Sequence, residues 1–320
     1  MKRIGLLTSG GDAPGMNAAI RAVVRGAIYN GLEVFGIERG FDGLIAGEIF
    51  EMDRKSVSDI IHRGGTVLKT ARSTQFMEEQ GFRMALNMLE SFQIEGLVII
   101  GGNGSLHGAL DLVKAGVKVI GLPGTIDNDL PFTDETIGFD TSVNTVLSAV
   151  GKIRDTSHSH DRTTVVEVMG RECGDIAIVA GLTGGAEMIL IPERTVDMNA
   201  VCRTLVENRN NGKMSSIIIK AEGVDITTAE LEQTIREKTG LDTKMVILGY
   251  VQRGGSPTAR DRMLASVMGY EAVRLLISGE YNKAVGFRNN DVVSYDLQEA
   301  MQMKKKSLLP LSDISDILSK

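Results

Sequence analysis

Two aspartates stand two positions apart in the stretch PGTIDNDLP, residues 123–131, which directly follows an apolar run. Asp127 and Asp129, with the hydroxyl of Thr125 beside them, are the residue types that phosphoryl transfer to an alcohol needs, because one carboxylate can accept the alcohol proton while another serves a metal ion. The alternative is an Asx turn, in which the carboxylates only cap the local backbone. Ligands of α/β sheets bind at strand ends, so the position favours the catalytic interpretation.

Two glycine turns have the composition of phosphate sites. The segments TSGGDAPGMN, residues 8–17, and GGNGSLHG, residues 101–108, each lie between an apolar run and a helical pattern. Glycine allows backbone N–H groups to approach a phosphate, and a helix start adds positive partial charge. Each turn could instead join strand to helix and bind nothing. The second also resembles a dinucleotide fingerprint, but no acidic residue ends the following run, Val119–Leu122, to hold a ribose.

Further polar tips follow other apolar runs of the chain. They are Met169-Gly170-Arg171, then Glu222, and then the pair Tyr250 and Arg253. The planar fork of arginine suits phosphate, and a glutamate can bind sugar hydroxyls. Each tip alone is typical of a surface turn, but together they repeat one pattern of apolar run, polar tip and glycine.

The elements that must position these residues are visible as an alternation of short apolar runs with amphipathic segments. We predict strands at Arg3–Leu7, Leu32–Ile37, Gly96–Ile100, Lys118–Leu122, Thr163–Val168, Met188–Ile191, Ser216–Ala221 and Met245–Gly249. In the first amphipathic segment, apolar residues between positions 16 and 28 share one helical face. This alternation predicts an α/β fold with parallel sheets covered on both sides.

Composition limits the classes of protein. The 320 residues are enough for two domains, and 42% hydrophobic with 24% charged residues predicts a full core. The net charge is −6 without a basic run, so nucleic acid is not an expected partner. Cys173 and Cys202 are the only cysteines, which fits a reducing compartment, and no apolar run approaches the length of a membrane span. We therefore predict a cytoplasmic protein without membrane contact.

With these residues assembled, the chain resembles the bacterial ATP-dependent 6-phosphofructokinase family. The blocks TSGGDAPGMNAAIRAVVR, TARS, PGTIDND, IGFDT, KIRDTSHSH, EVMGR, AEG and VQRGGSP stand in that family's order. The resemblance implies two doubly wound, mostly parallel α/β domains with interchanged chain segments. Residues 1–138 with 251–302 would form the nucleotide side, and residues 139–250 with 303–320 the sugar-phosphate side. It also implies a homotetramer whose sugar-phosphate and effector sites straddle subunits.

The resemblance further implies the reaction and its residues. Asp127 would take the proton from the 1-hydroxyl of fructose 6-phosphate, with Thr125 and Asp129 beside it, and Arg171 would bridge the phosphoryl group that leaves ATP. The implied ATP contacts are Gly11, Arg72, Ser73, Gly102, Asn103, Gly104 and Ser105. The implied fructose 6-phosphate contacts are Thr125, Asp127, Arg162 of the neighbouring subunit, Met169, Gly170, Arg171, Glu222, Lys244, Tyr250 and Arg253. The implied cofactor is Mg²⁺.

The phosphate donor can be argued from two glycines. Pyrophosphate-using relatives typically carry aspartate at the position of Gly104 and lysine at that of Gly124. Glycine at both positions leaves room for the α-phosphate of a nucleotide, so ATP is the predicted donor.

Three positions depart from the family's pattern. Asn103 stands where the family has an aspartate associated with magnesium, Lys244 replaces an arginine, and Tyr250 replaces a histidine. Lysine keeps the charge but loses the bidentate fork, so weaker sugar binding or an altered substrate stays open. Asn103 is either a turn residue with a left-handed backbone or a neutral oxygen facing the metal. We favour the second interpretation because the flanking Gly102, Gly104 and Ser105 preserve the phosphate loop.

An effector site for ADP or phosphoenolpyruvate is also implied, in a depleted form. Its residues would be Arg21, Arg25, Arg54, Arg154, Gly185, Glu187 and Lys213. Asn211 and Met214 replace residues that are usually basic. Arg21 and Arg25 are four apart, so they share a helix face, which is more commonly only solvated.

Three functions remain in competition. The leading one is a glycolytic kinase that makes fructose 1,6-bisphosphate and ADP. An NAD-kinase-like enzyme would also use glycine turns after strands, but the blocks PGTIDND and VMGR argue against it. A weakened nucleotide-binding or regulatory paralogue is suggested by Asn103, Lys244 and Tyr250, whereas retention of Asp127 and Arg171 favours an enzyme.

Overall fold

The structure is a computed structural model and describes residues 1–319. The strands are β1 Arg3–Ser9, β2 Glu33–Ile37, β3 Ile49–Met52, β4 Gly96–Gly101, β5 Val119–Pro123, β6 Thr163–Val168, β7 Met188–Leu190, β8 Ser216–Ala221, β9 Thr243–Ile247, β10 Lys283–Arg288 and β11 Asp291–Asp296. The α-helices are α1 Met16–Tyr29, α2 Gly40–Ala46, α3 Glu79–Ser91, α4 Asn103–Lys114, α5 Phe139–Ser159, α6 Asp175–Gly184, α7 Met198–Asn210, α8 Thr228–Thr239, α9 Ala259–Ser278, α10 Leu297–Gln302 and α11 Leu309–Leu318. Short 3₁₀ helices occupy Gln75–Met77 and Gly249–Arg253.

The first compact unit consists of Met1–Thr141 and Arg253–Lys306. Its sheet has the strand order β11-β10-β5-β4-β1-β2-β3, with parallel pairing except at the edge strands β3 and β11. Ser9 pairs with Gly101, and Gly101 pairs with Pro123, so β1, β4 and β5 end together at one edge. The segments that follow these three strands therefore emerge side by side.

The core of this unit lies on both faces of β1, β4 and β5. The predicted apolar face of α1 is buried from Met16 to Ala27, and α1 packs against α9. A Cβ at Gly269 of α9 would lie 2.8 Å from the Cβ of Ala22 on α1, so glycine allows the two helices to approach closely. Burial of the α1 face thus depends on a helix that comes from the second chain segment of the unit.

The second compact unit consists of Ser142–Gln252 and the segment from Ser307 onward. Its sheet is parallel throughout, with the order β7-β8-β6-β9. Thr163, the first residue of β6, pairs with Ser216 and Thr243, and Val168 at the other end pairs with Ala221. The strands therefore begin at one end of the sheet and finish at the other end. The polar segments that precede the strands are thus separated from the polar segments that follow them.

The predicted α/β class with mostly parallel sheets is confirmed, but several elements differ. The strands β3, β10 and β11 were not predicted from the sequence. The last predicted strand, Met245–Gly249, is wrong in position, because β9 runs over Thr243–Ile247 and Gly249 has a left-handed backbone (φ 53°) within a 3₁₀ helix. Within residues 1–319, no helix is both long and apolar enough to cross a membrane.

The units begin and end a few residues later than the predicted boundaries at 138, 251 and 302. The predicted second domain extends to residue 320, which lies outside the described residues. The assignment of one unit to the nucleotide and the other to the sugar phosphate stays a prediction.

Candidate active site

The start of α4 has the form of an anion site. Gly102 precedes the helix, Asn103 is its first residue, and within the described part of the chain no side chain caps this end. The first backbone N–H groups of a helix have no partner inside the helix, and together with the helix dipole they attract phosphate. A Cβ at Gly104 would meet no atom within 4 Å, so the surface of this turn is open. Ser105 is buried beneath it, against Gly101.

The first glycine turn is not a second copy of this arrangement. Helix α1 begins only at Met16, which is fully buried, and the side-chain amide of Asn17 donates to the carbonyls of Arg63 and Gly64. The first residues of α1 are therefore covered by packing, and the predicted anion site at the first glycine turn stays a prediction. The two turns therefore share their glycines but differ in how the following helix begins.

The first turn instead holds a neighbouring loop. Thr70 Oγ1 donates to Gly10 O at 2.9 Å, which fixes the segment leading to Arg72 and Ser73. Arg72 is exposed, whereas Ser73 Oγ accepts from Phe76 N at 3.1 Å and caps a 3₁₀ helix. A Cβ at residue 11 would collide with the guanidinium of Arg253, so Gly11 and Arg253 are in contact. These predicted ligand residues thus lie on one connected surface of the first unit.

The aspartate loop lies directly beside the start of α4. A Cβ at Gly102 would lie 3.3 Å from the Cβ of Thr125. Asp127 is buried, with 3% of its surface exposed, and its backbone N–H donates to Thr125 Oγ1 at 3.2 Å. The structure therefore brings together the predicted base and the predicted phosphate turn, on adjacent strands that end at the same edge.

The local capping in this loop comes from its neighbours. Asn128 has a left-handed backbone (φ 53°), and its Oδ1 accepts from Thr136 N at 3.0 Å. Thr136 Oγ1 in turn donates to Thr125 O at 2.7 Å. Thr125, Asn128 and Thr136 thus form hydrogen bonds that hold the backbone of this loop. The loop is a fixed platform for Asp127 and Asp129.

Asn103 is not a left-handed turn residue. It occupies the first position of α4, where the backbone is helical, and its carbonyl oxygen lies 3.0 Å from His107 Nδ1 one turn later. The interpretation as a turn former is therefore wrong, because a helical backbone can be adopted by any ordinary residue at this position. What distinguishes asparagine here is its side-chain oxygen.

In the second unit, Glu222 fixes the tip that follows β6. Its Oε1 accepts from the backbone N–H groups of Gly170, at 3.1 Å, and Arg171, at 2.9 Å. Gly170 has φ 137°, and a Cβ there would collide with the carbonyl oxygen of Cys173, so this position requires glycine. Arg171 also has a left-handed backbone (φ 53°), a strained conformation that is concentrated at functional sites. The carboxyl ends of β6 and β8 thereby join the predicted sugar residues into one cluster.

Gln252 is a site residue that the sequence analysis missed. Its side chain is fully buried, and its Oε1 accepts from Met169 N at 3.1 Å while its Nε2 donates to Gly249 O at 3.0 Å. It ties the tip after β6 to the 3₁₀ helix that carries Tyr250, whose side chain is 83% exposed. A glutamine beside a glycine pair gives no sign in the sequence of being buried, so only the fold identifies it.

Arg162 and Lys244 lie at the amino ends of the strands, which is the opposite end of the same sheet. Arg162 directly precedes β6, and Lys244 is the second residue of β9. Asp242 bridges them, accepting from Arg162 Nε at 2.5 Å and lying 3.2 Å from Lys244 Nζ. The Arg162 hydrogen bond and, in smaller part, Lys244 lower the pKa of Asp242 below its usual value. At about 3.3 Å per residue, these groups lie roughly 20 Å from the tip after β6, too far to share one small ligand within a single copy.

Comparison with known proteins identifies the family. The family model described as phosphofructokinase matches residues 3–276. The chain belongs to the phosphofructokinase family. Over 320 residues it is 56% identical to the ATP-dependent 6-phosphofructokinases of Clostridium botulinum (strain Loch Maree / Type A3) and Clostridium acetobutylicum, and each match covers 100% of both proteins.

Solved phosphofructokinase structures have the same fold. The Saccharomyces cerevisiae phosphofructokinase matches all of this chain with a TM-score of 0.89 and 36% identity, and this chain spans 48%, about half, of that longer chain. A pyrophosphate-dependent phosphofructokinase from Marinobacter aquaeolei matches 99% of this chain and 91% of its own, with a TM-score of 0.86 and 22% identity. The second likeness shows the fold alone.

The two glycines that bear on the phosphate donor differ in their surroundings. A Cβ at Gly124 would lie 2.8 Å from a side-chain carbon of Ile100 and 3.1 Å from one of Met16, so packing against the core explains glycine at this position of the phosphofructokinase fold. Gly104 faces open space. Of the two, only Gly104 has the free volume that the predicted contact with a nucleotide phosphate requires.

Four of the predicted effector residues form a cluster in the second unit. Glu187 is buried and contacts three groups, because its Oε2 accepts from Ile217 N while its Oε1 lies 2.9 Å from Lys213 Nζ and 3.8 Å from Arg154 Nη1. Arg154 Nη2 also donates to Gly185 O at 2.8 Å. The other three predicted effector residues belong to the first unit, on α1 and after β3, namely Arg21, Arg25 and Arg54.

Proposed function

We propose that this chain is an ATP-dependent 6-phosphofructokinase, which transfers the γ-phosphate of ATP to the 1-hydroxyl of fructose 6-phosphate in glycolysis. The observation that carries the proposal is the contact between two features of the first unit. The buried Asp127 loop packs, through Thr125, against the uncapped start of α4. A carboxylate beside a phosphate-binding helix start is the arrangement that phosphoryl transfer to an alcohol needs. Relatives named for this reaction match over their full length.

Asp127 would act as the general base. The 1-hydroxyl oxygen forms a bond to the γ-phosphorus, its proton passes to an oxygen of Asp127, and the bond from phosphorus to the β–γ bridging oxygen breaks to release ADP. Arg171 would stabilise the negative charge on the phosphoryl oxygens with its planar fork. The hydroxyl group of Thr125 already accepts the N–H of Asp127 and would hold the base in position.

The nucleotide would be bound by the surface that surrounds α4 and the first glycine turn. The N–H groups at the start of α4 suit a phosphate, and the open space at Gly104 admits a nucleotide without collision. Arg72 is exposed beside the first turn and adds positive charge. ATP is therefore favoured over pyrophosphate as donor.

A divalent metal ion, Mg²⁺, would neutralise phosphate charge in this reaction when bound. Asn103 and Asp129 offer side-chain oxygens after the adjacent strands β4 and β5, which is the ligand chemistry that Mg²⁺ prefers. These residues fit the ion, since magnesium needs only one or two carboxylates besides water and substrate phosphates. Asn103 would contribute a neutral oxygen where a carboxylate would add charge.

The sugar phosphate would be bound by residues from two copies of the chain. Met169, Gly170 and Glu222 follow the carboxyl ends of their strands, whereas Arg162 and Lys244 lie at the amino ends, roughly 20 Å away. A fructose 6-phosphate held by both groups therefore needs a second subunit to supply the two cations. A cytoplasmic homotetramer would provide such paired sites.

ADP and phosphoenolpyruvate would act as effectors at the Glu187 cluster, but weakly. Lys213 and Arg154 keep positive charge there, while Asn211 and Met214 add none. Each cation strengthens the binding of a phosphate, so a site with fewer cations should bind ADP weakly. We therefore expect ADP to change the sigmoidal dependence of the rate on fructose 6-phosphate only slightly. Strong activation by micromolar ADP in initial-rate curves would contradict this proposal.

A coupled assay with fructose 6-phosphate, ATP and varied Mg²⁺ tests the function. The expected result is magnesium-dependent formation of fructose 1,6-bisphosphate and ADP in equal amounts, with no turnover when pyrophosphate replaces ATP. No turnover at saturating magnesium would leave a regulatory paralogue as the better proposal. Faster turnover of another sugar phosphate would assign the departures at Lys244 and Tyr250 to an altered substrate.

A further inference from the structure

The amino ends of β6 and β9 carry a cluster of three charges, Arg162, Asp242 and Lys244. Asp242 uses a different oxygen for each cation, Oδ2 for Arg162 Nε and Oδ1 for Lys244 Nζ. The backbone fixes the cluster, because Thr163 N donates to Asp242 O at 3.0 Å and Thr163 pairs with Thr243. Displacement of Asp242 from the two cations therefore needs only rotation of side chains.

The two cations of this cluster are the ones proposed above to bind the phosphate of the sugar. A carboxylate and a phosphate use the same donors, namely the guanidinium fork and the ammonium group. The cations lower the pKa of Asp242, so its carboxylate is charged at neutral pH. An arriving phosphate thus meets an anion that is already in place.

We propose that Asp242 is an internal competitor of the substrate phosphate and sets the affinity of this site for sugar phosphates. The inference rests on the proposed function, since it assigns a further residue to the phosphate site of that reaction. Binding of the phosphate displaces Asp242 from Arg162 and Lys244, and release of the product allows the ion pairs to form again.

Two opposing effects decide whether Asp242 strengthens or weakens the binding of the phosphate. Asp242 orders the two cations, which favours binding, and it repels the phosphate, which opposes binding. The side chains of Arg162, Asp242 and Lys244 are 33%, 46% and 51% exposed, and ion pairs with such exposure order their partners only weakly. The repulsion acts between a full negative charge and a phosphate that carries nearly two, a few ångströms apart. Repulsion is therefore the larger effect.

The test is Asp242→Asn, which removes the charge and keeps the size. We expect the KM for fructose 6-phosphate to fall about tenfold at low ionic strength, with a smaller change in kcat. Calorimetric titration of fructose 6-phosphate without ATP should show a similar fall in Kd. The gain should shrink as KCl is raised, because salt screens exposed charges. Asp242→Glu keeps the charge and should leave KM close to that of the unaltered protein.

The pair Arg3–Glu33 offers a matched control. It also joins an arginine Nε to a carboxylate across the amino ends of two parallel strands, at 2.6 Å, with side chains 35% and 50% exposed. Glu33→Gln changes the net charge by the same amount and should leave both KM and Kd unchanged.

The outcomes separate this inference from the proposed function. A KM or Kd that rises or stays constant in Asp242→Asn would overturn the inference, and so would equal tightening in Glu33→Gln. Failure of the unaltered protein to bind or phosphorylate fructose 6-phosphate would instead sink the proposed function. A KM and Kd that fall in Asp242→Asn but not in Glu33→Gln, by an amount that shrinks as KCl is raised, would support Asp242 as the competitor.

Discussion

Asn103 begins α4 beside a loop that carries two aspartates, and it is the neutral member of this group of oxygens. Its backbone is helical, so asparagine is not needed for the turn. The amide oxygen can still approach a metal ion, but it brings no charge to hold the ion or to offset the phosphates. The identity of this one side chain should therefore be visible in the dependence of the rate on metal concentration.

We expect Asn103→Asp to lower the Mg²⁺ concentration for half-maximal rate and to raise turnover by about tenfold, or about 1.4 kcal/mol. A carboxylate adds the charge that binds the ion and stabilises the transferring phosphoryl group, and aspartate is favourable at a helix N-terminus. Initial rates over a magnesium series measure both effects. Asn87→Asp, on the exposed side of α3, is the control for net charge. Identical magnesium curves for Asn103→Asp and the unaltered protein would exclude a metal-facing role.

A second prediction concerns the base itself. Asp127→Ser should reduce kcat by about a hundredfold or more, because the proton of the sugar hydroxyl loses its acceptor. Circular dichroism should show an unchanged fold. Asp111→Ser, at an exposed aspartate of α4, should retain activity. Turnover near that of the control would show that another group takes the proton.

At the scale of elements, the start of α5 depends on one buried carboxylate of α9. Asp261 is fully buried and accepts from Gly138 N and Thr141 N, each at 2.8 Å, and from Thr141 Oγ1 at 2.5 Å. Burial raises the pKa of Asp261 from 3.8 to about 6, against the opposing effect of these hydrogen bonds. The folded protein therefore holds this proton at pH values where the unfolded chain has released it.

This shift predicts a pH dependence of stability. Because the folded-state pKa is raised, the contribution of Asp261 is complete below pH 3.8 and is lost as pH rises through about 6. Relative to Asp261→Asn, the free energy of unfolding should fall by about 2 kcal/mol between pH 4 and pH 6.5 and then level off. Denaturant titrations of both proteins over this range measure the difference. A difference that stays constant with pH would show that burial does not hold the proton.

The elements that the sequence predicted well are those buried on both faces. The strands β1, β4, β6 and β8 are nearly continuous apolar runs, which the parallel arrangement requires, and their predicted positions agree with the structure to within two residues. The missed strands lie at or beside the antiparallel edges. The hairpin between β10 and β11 turns at Asn289 and Asn290, which both have a left-handed backbone. A pair of asparagines is a sequence signature of such a turn.

For the site, residue types were easier to predict than surroundings. Asp127 and Glu222 stand out by their position after apolar runs. Gln252 does not, nor does Lys220, which is fully buried in β8 and donates to Glu167 and to the carbonyl of Ala221. Burial of a polar side chain depends on partners distant in the chain, which periodicity does not encode.

At the scale of the whole molecule, the residues of the proposed sugar-phosphate site lie at opposite ends of the strands in the four-stranded sheet. This separation predicts that two copies of the chain contribute to each site. Arg162→Ala and Glu222→Ala should each have low activity, because each removes one end of the proposed sugar-phosphate site. Hybrids of the proposed homotetramer, formed by co-expression, should recover about a quarter of normal activity, since each proposed site would draw the two residues from different subunits at random. Assays of purified hybrids measure the recovery.

The control pairs two variants at the same end of the sheet. Glu222→Ala mixed with Arg171→Ala should show no recovery, because both residues come from one copy. Equal activity in both mixtures would argue against a site that is shared between subunits.

The close packing of α1 on α9 has a consequence during biosynthesis. The ribosome releases α1 early, but α9 begins about 230 residues after the end of α1, beyond the segment Ser142–Gln252. At 5–20 residues per second, the apolar face of α1 would wait roughly 10 to 50 seconds for the helix that covers it. Nascent chains stalled near residue 252 should therefore bind chaperones more strongly than chains stalled past residue 306, where the helix that covers α1 and the rest of the first sheet are complete.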